Sequence, residues 1–273
     1  MKTLIVLILS FGIFLSYQVK AANDLAADDI HKADFKWFQF NIYKGTNNKL
    51  PFGKQKDTFV EMEFGGRSGI LDYYGFVDVF DALDSHDSDN HNGDNLFLKI
   101  APRFSLDAMT GEKLAVGPFK EWYISTLAFI GDRALFQQFL GLGTDVEIPW
   151  FGKVGANLMA RYVRENFGAD NERKWDGYLL ATNWFKPFYT FANSNTLVYQ
   201  GYFQYTFAAN KISDSTDRSD NSIEWYNGFY WHSQRYAAGY ALKYYKDMAL
   251  LKDKGFAGDT SGIGHYLVAT YKF

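Results

Sequence analysis

Cysteine is absent from the 273 residues. That excludes a disulfide framework and a cysteine-linked lipid anchor. Beyond residue 21 no stretch approaches the ~18 continuous apolar residues that a membrane-crossing helix needs. Positive charge is also short. The 28 Lys and Arg are outnumbered by 31 Asp and Glu, which argues against nucleic-acid binding, since that wants a basic face. Histidine is scarce, with five in all. His232-Ser233 is the one His-Ser step, and neighbours on a strand point to opposite faces, so it reads as a turn and not as half of a triad. His86 and His91 stand near Asp84, Asp87 and Asp89 and could ligate a cation, but the segment reads as a solvated acidic loop. The glycine patterns GGRSG and GLG do not sit between a strand and a helix, so they are not phosphate loops. No enzyme chemistry and no cofactor is read from the chain. No domain boundary and no low-complexity segment interrupts it.

What is present begins with an address. Lys2 precedes the apolar run Leu4–Leu15, and Val19-Lys20-Ala21 offers compact residues for cleavage. Residues 1–21 read as a secretory signal peptide, with cleavage after Ala21 or Ala22. Removing them takes two lysines and no acid, so the remainder, 22–273, is more acidic still. Aromatic residues make up 19% of the chain, with 19 Tyr and 26 Phe. A globular core does not need that many tyrosines; belts at two membrane interfaces do.

The closing stretch Gly262–Phe273 alternates strictly. Leu267, Ala269, Tyr271 and Phe273 share one apolar face, against Tyr266, Val268, Thr270 and Lys272. It reads as the last strand of a barrel, pairing with the first, its apolar face toward outer-membrane lipid. The first strand, 34–43, sets Phe38, Phe40 and Ile42 against Trp37, Gln39, Asn41 and Tyr43. Going along the chain in this way gives an all-β transmembrane antiparallel barrel of about twelve strands, with ten or fourteen as alternatives. Tight turns are expected at 65–69, 107–111, 149–152 and 232–235, and a turn region at 186–195. Longer polar loops are expected at 44–56, 81–95, 165–174, 208–222 and 246–261. Short turns at one end and long loops at the other suit the bacterial outer membrane. Pro102 costs strand four a ladder hydrogen bond, so it should sit near an end or a bulge.

If Val60, Met62, Phe64, Leu71, Val77 and Val79 face lipid, then Glu61, Glu63, Asp72, Tyr74 and Asp78 face the lumen. Strand four adds Lys99 and Arg103, strand five Glu121 and Tyr123, strand six Asp145 and Glu147, and strand seven Arg161. The competing reading of each is a structural salt bridge that fills the interior. A narrow passage lined by aromatic faces and carboxylates suits a small, flat, polar solute. Bases stack on aromatics, and ribose hydroxyls donate to carboxylates. Asp72, Tyr74 and Asp78 are expected to form a track along strand three.

The runs DTFVEME…GILDYYGFVDVF (57–80), APRFSLDAMTG (101–111), GPFKEWY (117–123), GLGTDVEIP (141–149), KWDGY (174–178) and HYLVATYKF (265–273) resemble the nucleoside-specific channel family, Tsx. DIHKADFKWFQFN (29–41), EFGGRSGI (63–70), NWFKPFY (183–189) and NGFYWHSQRYAAGYALKYYKD (227–247) are similar to its OmpK-type branch. The resemblance covers essentially the whole chain after the leader. It implies a twelve-stranded outer-membrane channel with nucleosides as permeants, exploited by phages whose tail proteins engage the outer loops. Asp72, Tyr74, Asp78, Arg103, Glu121, Tyr123, Asp145 and Asp176 match the family pattern. The alternative is a cell-surface structural or receptor protein with a largely closed barrel.

Overall fold

The computed structural model describes residues 29–53, 56–82, 95–210 and 217–273. Within them twelve strands follow one another: β1 (Phe35–Thr46), β2 (Lys56–Ser68), β3 (Leu71–Val79), β4 (Leu96–Ser105), β5 (Phe119–Gly131), β6 (Leu135–Ile148), β7 (Gly152–Asn166), β8 (Lys174–Thr190), β9 (Thr196–Phe207), β10 (Ser222–His232), β11 (Tyr236–Lys246) and β12 (Gly262–Lys272). Each pairs antiparallel with its chain neighbours, and β12 pairs with β1. The sheet is a closed barrel. Closure leaves no edge of unpaired backbone groups, which hydrocarbon cannot solvate.

Period-two patterning decides what faces out. On β12, Tyr266, Val268 and Thr270 are buried while Leu267, Ala269 and Tyr271 are exposed. On β1, Asn41 is buried between exposed Phe40 and Ile42. Leu142, Leu158, Phe229 and Leu267 are all more than half exposed at mid-strand. Such a continuous apolar exterior is a lipid-facing surface. Aromatic pairs form belts on it. Phe38 and Phe273 lie 5.2 Å apart, Tyr271 and Phe273 5.0 Å, and Tyr236 and Tyr271 5.6 Å at the end where β1 begins and β12 finishes. Tyr162 with Trp175 and Tyr178 with Phe207 lie toward the other end.

The inner end has short connections at 69–70, 149–151, 191–195 and 233–235, plus 106–118, which holds the helix α1 (Leu106–Thr110). The outer end has connections at 47–55, 80–95, 132–134, 167–173, 208–221 and 247–261. Protease added to intact cells should cut within 208–221 and spare 69–70 and 233–235. Cleavage from outside at the short turns alone would reverse the orientation.

Several sequence-based boundaries shift. Gly65 and Gly66 belong to β2, and the turn lies at Gly69 and Ile70. A Cβ on Gly65 would stand 2.7 Å from the Trp37 ring, so that glycine serves close packing inside a strand. The 107–111 turn is mostly α1: Ser105 Oγ accepts from Ala108 N–H at 3.1 Å, and Gly111 ends the helix at φ 73. Residues 186–190 extend β8, whose pairing with β9 shifts register between Pro187 and Tyr189. Pro102 does sit at an interruption. The β4–β5 pairing skips Ala101 and Pro102, and Thr126 donates to the Pro102 carbonyl at 2.9 Å.

Candidate permeation pathway

Side chains that project inward form three layers between the inner and outer ends. The inner layer is a charge network across β2 to β7. Arg67 forks onto Glu121 at 2.7 and 2.8 Å. Ser105 Oγ donates to the same carboxylate at 2.5 Å. Arg103 bridges Asp72 at 2.9 Å and Asp145 at 3.1 Å, and its guanidinium lies 4.0 Å over the Tyr123 ring. Tyr123 and Lys153 each donate to Asp145 at 3.1 Å. Arg67 and Glu121 sit on strands that are not neighbours, so these contacts cross the interior rather than running along the wall. Forked, charge-assisted bonds hold such a network in one geometry.

The middle layer mixes acids, amides and rings. Glu61 accepts from Asn41 at 2.6 Å and from Tyr43 at 3.2 Å. Glu63 accepts from Gln39 at 2.5 Å, from Asn41 at 2.9 Å and from Tyr74 at 2.8 Å. Thr270, from the closing strand, donates to Asn41 at 2.7 Å. Glu61 and Asp78 are direct cross-strand partners. Asp78 is buried, and its Oδ1 has no hydrogen-bond partner among the described residues. Lys99 lies 5.4–6.0 Å from the ring centres of Tyr74, Phe76, Phe129 and Tyr202. Since Tyr202 belongs to β9, the Lys99 side chain reaches from β4 across the interior. The opposite wall supplies Lys243, paired with Glu224 at 2.6 Å. Around them Tyr226 bonds Tyr230 and Tyr245 bonds Tyr266 through their hydroxyls.

The outer layer is anchored by Arg161 and Asp176. Arg161 donates to Gln137 at 2.9 Å, to the Asp176 carbonyl at 3.0 Å and to its carboxylate at 3.5 Å. Gly177, at φ 84, sits where a Cβ would be 2.6 Å from the Phe207 carbonyl. The β7–β8 register shifts beside it, between Ala160 and Tyr162, and the bulge turns Asp176 inward.

The thirteen residues singled out by sequence are therefore not one group. Arg103, Asp72, Glu121, Tyr123 and Asp145 come together in the inner layer. Glu61, Glu63, Tyr74, Asp78 and Lys99 come together in the middle. Arg161 and Asp176 stand together at the outer end, while Glu147, expected to face the lumen, is exposed where β6 ends beside the short 149–151 turn. The expected track along β3 is broken, because Asp72 is neutralised by Arg103 in a different layer from Tyr74 and Asp78. Sequence reasoning missed the opposite wall: Tyr202, Glu224, Tyr226, Tyr230, Lys243, Tyr245 and Tyr266. An isolated acid and an isolated lysine within aromatic strands, Glu224 and Lys243, were the available signal.

His232 and Ser233 do not engage one another. His232 Nε2 lies 3.2 Å from Gln200 and Nδ1 3.2 Å from Lys272 Nζ, while Ser233 Oγ donates to the Tyr236 carbonyl at 3.2 Å. His86, His91 and their neighbouring acids lie outside the described residues, as does the expected leader.

Comparison with known proteins bears on this interior. A family described as "Nucleoside-specific channel-forming protein, Tsx" matches residues 32–273. The outer membrane protein OmpK of Vibrio parahaemolyticus is 45% identical over 256 residues, covering 92% of this chain and 93% of the relative. The nucleoside-specific channel-forming protein Tsx of Salmonella typhimurium is 29% identical over 290 residues, covering 100% of this chain and 99% of the relative. Among solved structures, the KdgM porin in complex with disordered oligogalacturonate aligns with a TM-score of 0.46 at 9% identity, over 86% of this chain and 99% of that one.

Proposed function

The chain belongs to the Tsx family of channel-forming outer-membrane proteins, and from that premise we propose that it conducts nucleosides by facilitated diffusion. The observation that carries the reading is the middle layer. There the buried Oδ1 of Asp78 has no donor among the described residues, and further along the inward face of β3 the Tyr74 and Phe76 rings lie 6.1 Å apart. A buried acceptor left without a donor is costly. A ribose hydroxyl passing that level would supply the donor, and its base would find an aromatic face. The site residues proposed for this are Glu61, Glu63, Tyr74, Asp78 and Lys99, with Tyr202 and Lys243 across from them. The inner network would act as the exit and the Arg161–Asp176 layer as the entrance. Residues 1–21 are proposed as an export signal removed before assembly. The outer loops are proposed as the surface that a phage tail protein would meet.

The test is influx of labelled adenosine and adenosine monophosphate into proteoliposomes. Adenosine should pass far faster, because the acids Glu61, Glu63 and Asp78 disfavour a phosphate. Tyr74→Ala should weaken saturation at low adenosine by the equivalent of about 1–3 kcal/mol of stacking while the barrel still assembles. Asp78→Asn should narrow the gap between the two solutes. Equal flux of both through the unmutated protein would sink the nucleoside reading in favour of the receptor alternative.

A further inference from the structure

Between the barrel wall and three outer loops lies a cavity of about 230 Å³, lined by Arg161, Asp176, Arg218, Ser219, Asp220 and Lys252 among others. That is several times the ~30 Å³ share of one water. It is smaller than the ~300 Å³ at which whole-ligand pockets begin. It fits a headgroup, not a complete nucleotide.

Its charges are unevenly matched. Arg161 is 3% exposed. Its Nε and Nη1 are used on Gln137 and Asp176, while Nη2 has no hydrogen bond among the described residues and is not among the fully buried unpaired atoms. It therefore faces the cavity. Arg218 enters from the loop above. It packs 5.8 Å from the Phe256 ring and makes no ion pair among the described residues. Both guanidinium groups line this one cavity. Burial pushes the Arg218 guanidinium below its ordinary range. Three basic side chains, Arg161, Arg218 and Lys252, line the cavity against two acids, Asp176 and Asp220, and Asp176 is paired with Arg161 at 3.5 Å. Asp176 Oδ2 accepts from Asn171 at 2.8 Å, and Asp220 Oδ1 from Asn221 at 2.5 Å.

We propose that this cavity is an oxyanion site that takes the phosphate of a phosphomonoester solute arriving from outside. Two guanidinium groups approaching from different elements match a tetrahedral, doubly charged group better than a planar carboxylate. Arg161 and Asp176 project from the inward side of β7 and β8, the side a solute would pass. Together with the acids of the middle layer, it would hold phosphorylated solutes at the mouth while uncharged ones proceed. Binding is read without flux, so the proposal stands or falls separately from nucleoside conduction.

The experiment is calorimetric titration of the full-length barrel in detergent with inorganic phosphate, adenosine monophosphate and adenosine. Phosphate and the monophosphate should bind competitively with each other, and adenosine should not displace phosphate. Arg218→Gln lies in a loop outside the strands and should weaken phosphate binding about tenfold or more, the loss of one charge-assisted fork. Arg218→Lys should recover part of it. Heat-modifiable migration on a gel confirms that each variant is folded. No phosphate binding by the unmutated protein, or equal binding by Arg218→Gln, overturns the proposal. Binding of short-chain phosphatidic acid without binding of phosphate or the monophosphate overturns the solute assignment.

Discussion

Deleting Tyr271–Phe273 should remove nearly all assembled protein from the outer-membrane fraction. The three residues close the seam. Lys272 pairs with Gln39 and Tyr271 with Phe40, while Tyr271 also pairs with Tyr236 on the other side. The Phe273 N–H donates to the Phe38 carbonyl at 3.2 Å, and the Lys272 N–H to the Arg235 carbonyl at 2.8 Å. Lys272 Nζ donates to the Ser233 carbonyl at 2.6 Å, and Arg235 reaches the Tyr271 hydroxyl at 3.2 Å. Without them the inner half of β1 becomes an edge. Each backbone group left unpaired in hydrocarbon costs several kcal/mol, against a total stability of about 5–15 kcal/mol for an ordinary domain. The Phe38–Phe40–Phe273 cluster is lost as well. Phe273→Ala alone keeps the ladder and should assemble at a reduced level. The measure is the fraction that migrates as the compact, heat-modifiable form. Full assembly of the deletion would mean that β12 does not close the barrel through its last residues.

That seam was readable in the sequence because its physics is one-dimensional. Leu267, Ala269, Tyr271 and Phe273 meet lipid, and their alternates meet the interior, so period two appears directly. β1, β2 and β3 share that property, and the inward placement of Glu61, Glu63, Asp72, Tyr74 and Asp78 follows from it. β9, β10 and β11 differ. Their outward positions carry Tyr199, Phe203, Trp225, Phe229, Trp231, Tyr240 and Tyr244, while their inward positions carry Tyr202, Tyr226, Tyr230 and Tyr245. With rings on both faces, alternation vanishes from the hydropathy, and the second wall of the interior is hidden. The layering was hidden for another reason. Whether Asp72 belongs with Asp78 or with Asp145 depends on Arg103 reaching across β3 to β6, and no local pattern encodes that reach. Gly177 was a weaker clue: a glycine next to an acid near the start of a strand is compatible with a bulge that redirects Asp176, but it does not require one.

Lys99→Met should raise the preference of the channel for cations over anions more than tenfold. In the middle layer four carboxylates, Glu61, Glu63, Asp78 and Glu224, face two ammonium groups. Lys243 is committed to Glu224 at 2.6 Å. Lys99 makes no ion pair among the described residues and stands among four rings instead. Its charge is therefore the one in this layer left to act on a passing ion. A unit charge about 8 Å from the path, at an effective dielectric of about 20, is worth about 2 kcal/mol, which exceeds the ~1.4 kcal/mol of a tenfold change. Methionine keeps a side chain of similar length, so the rings of β3, β5 and β9 retain a packing partner and the passage keeps its width. Lys243→Met should do less to selectivity and more to stability, since it strands Glu224 in a half-buried position. Reversal potentials in planar bilayers under a potassium chloride gradient read the first effect, and thermal loss of the heat-modifiable form reads the second. If Lys99→Met leaves the reversal potential unchanged, ions do not pass the middle layer within reach of Lys99, and the passage must run along another wall.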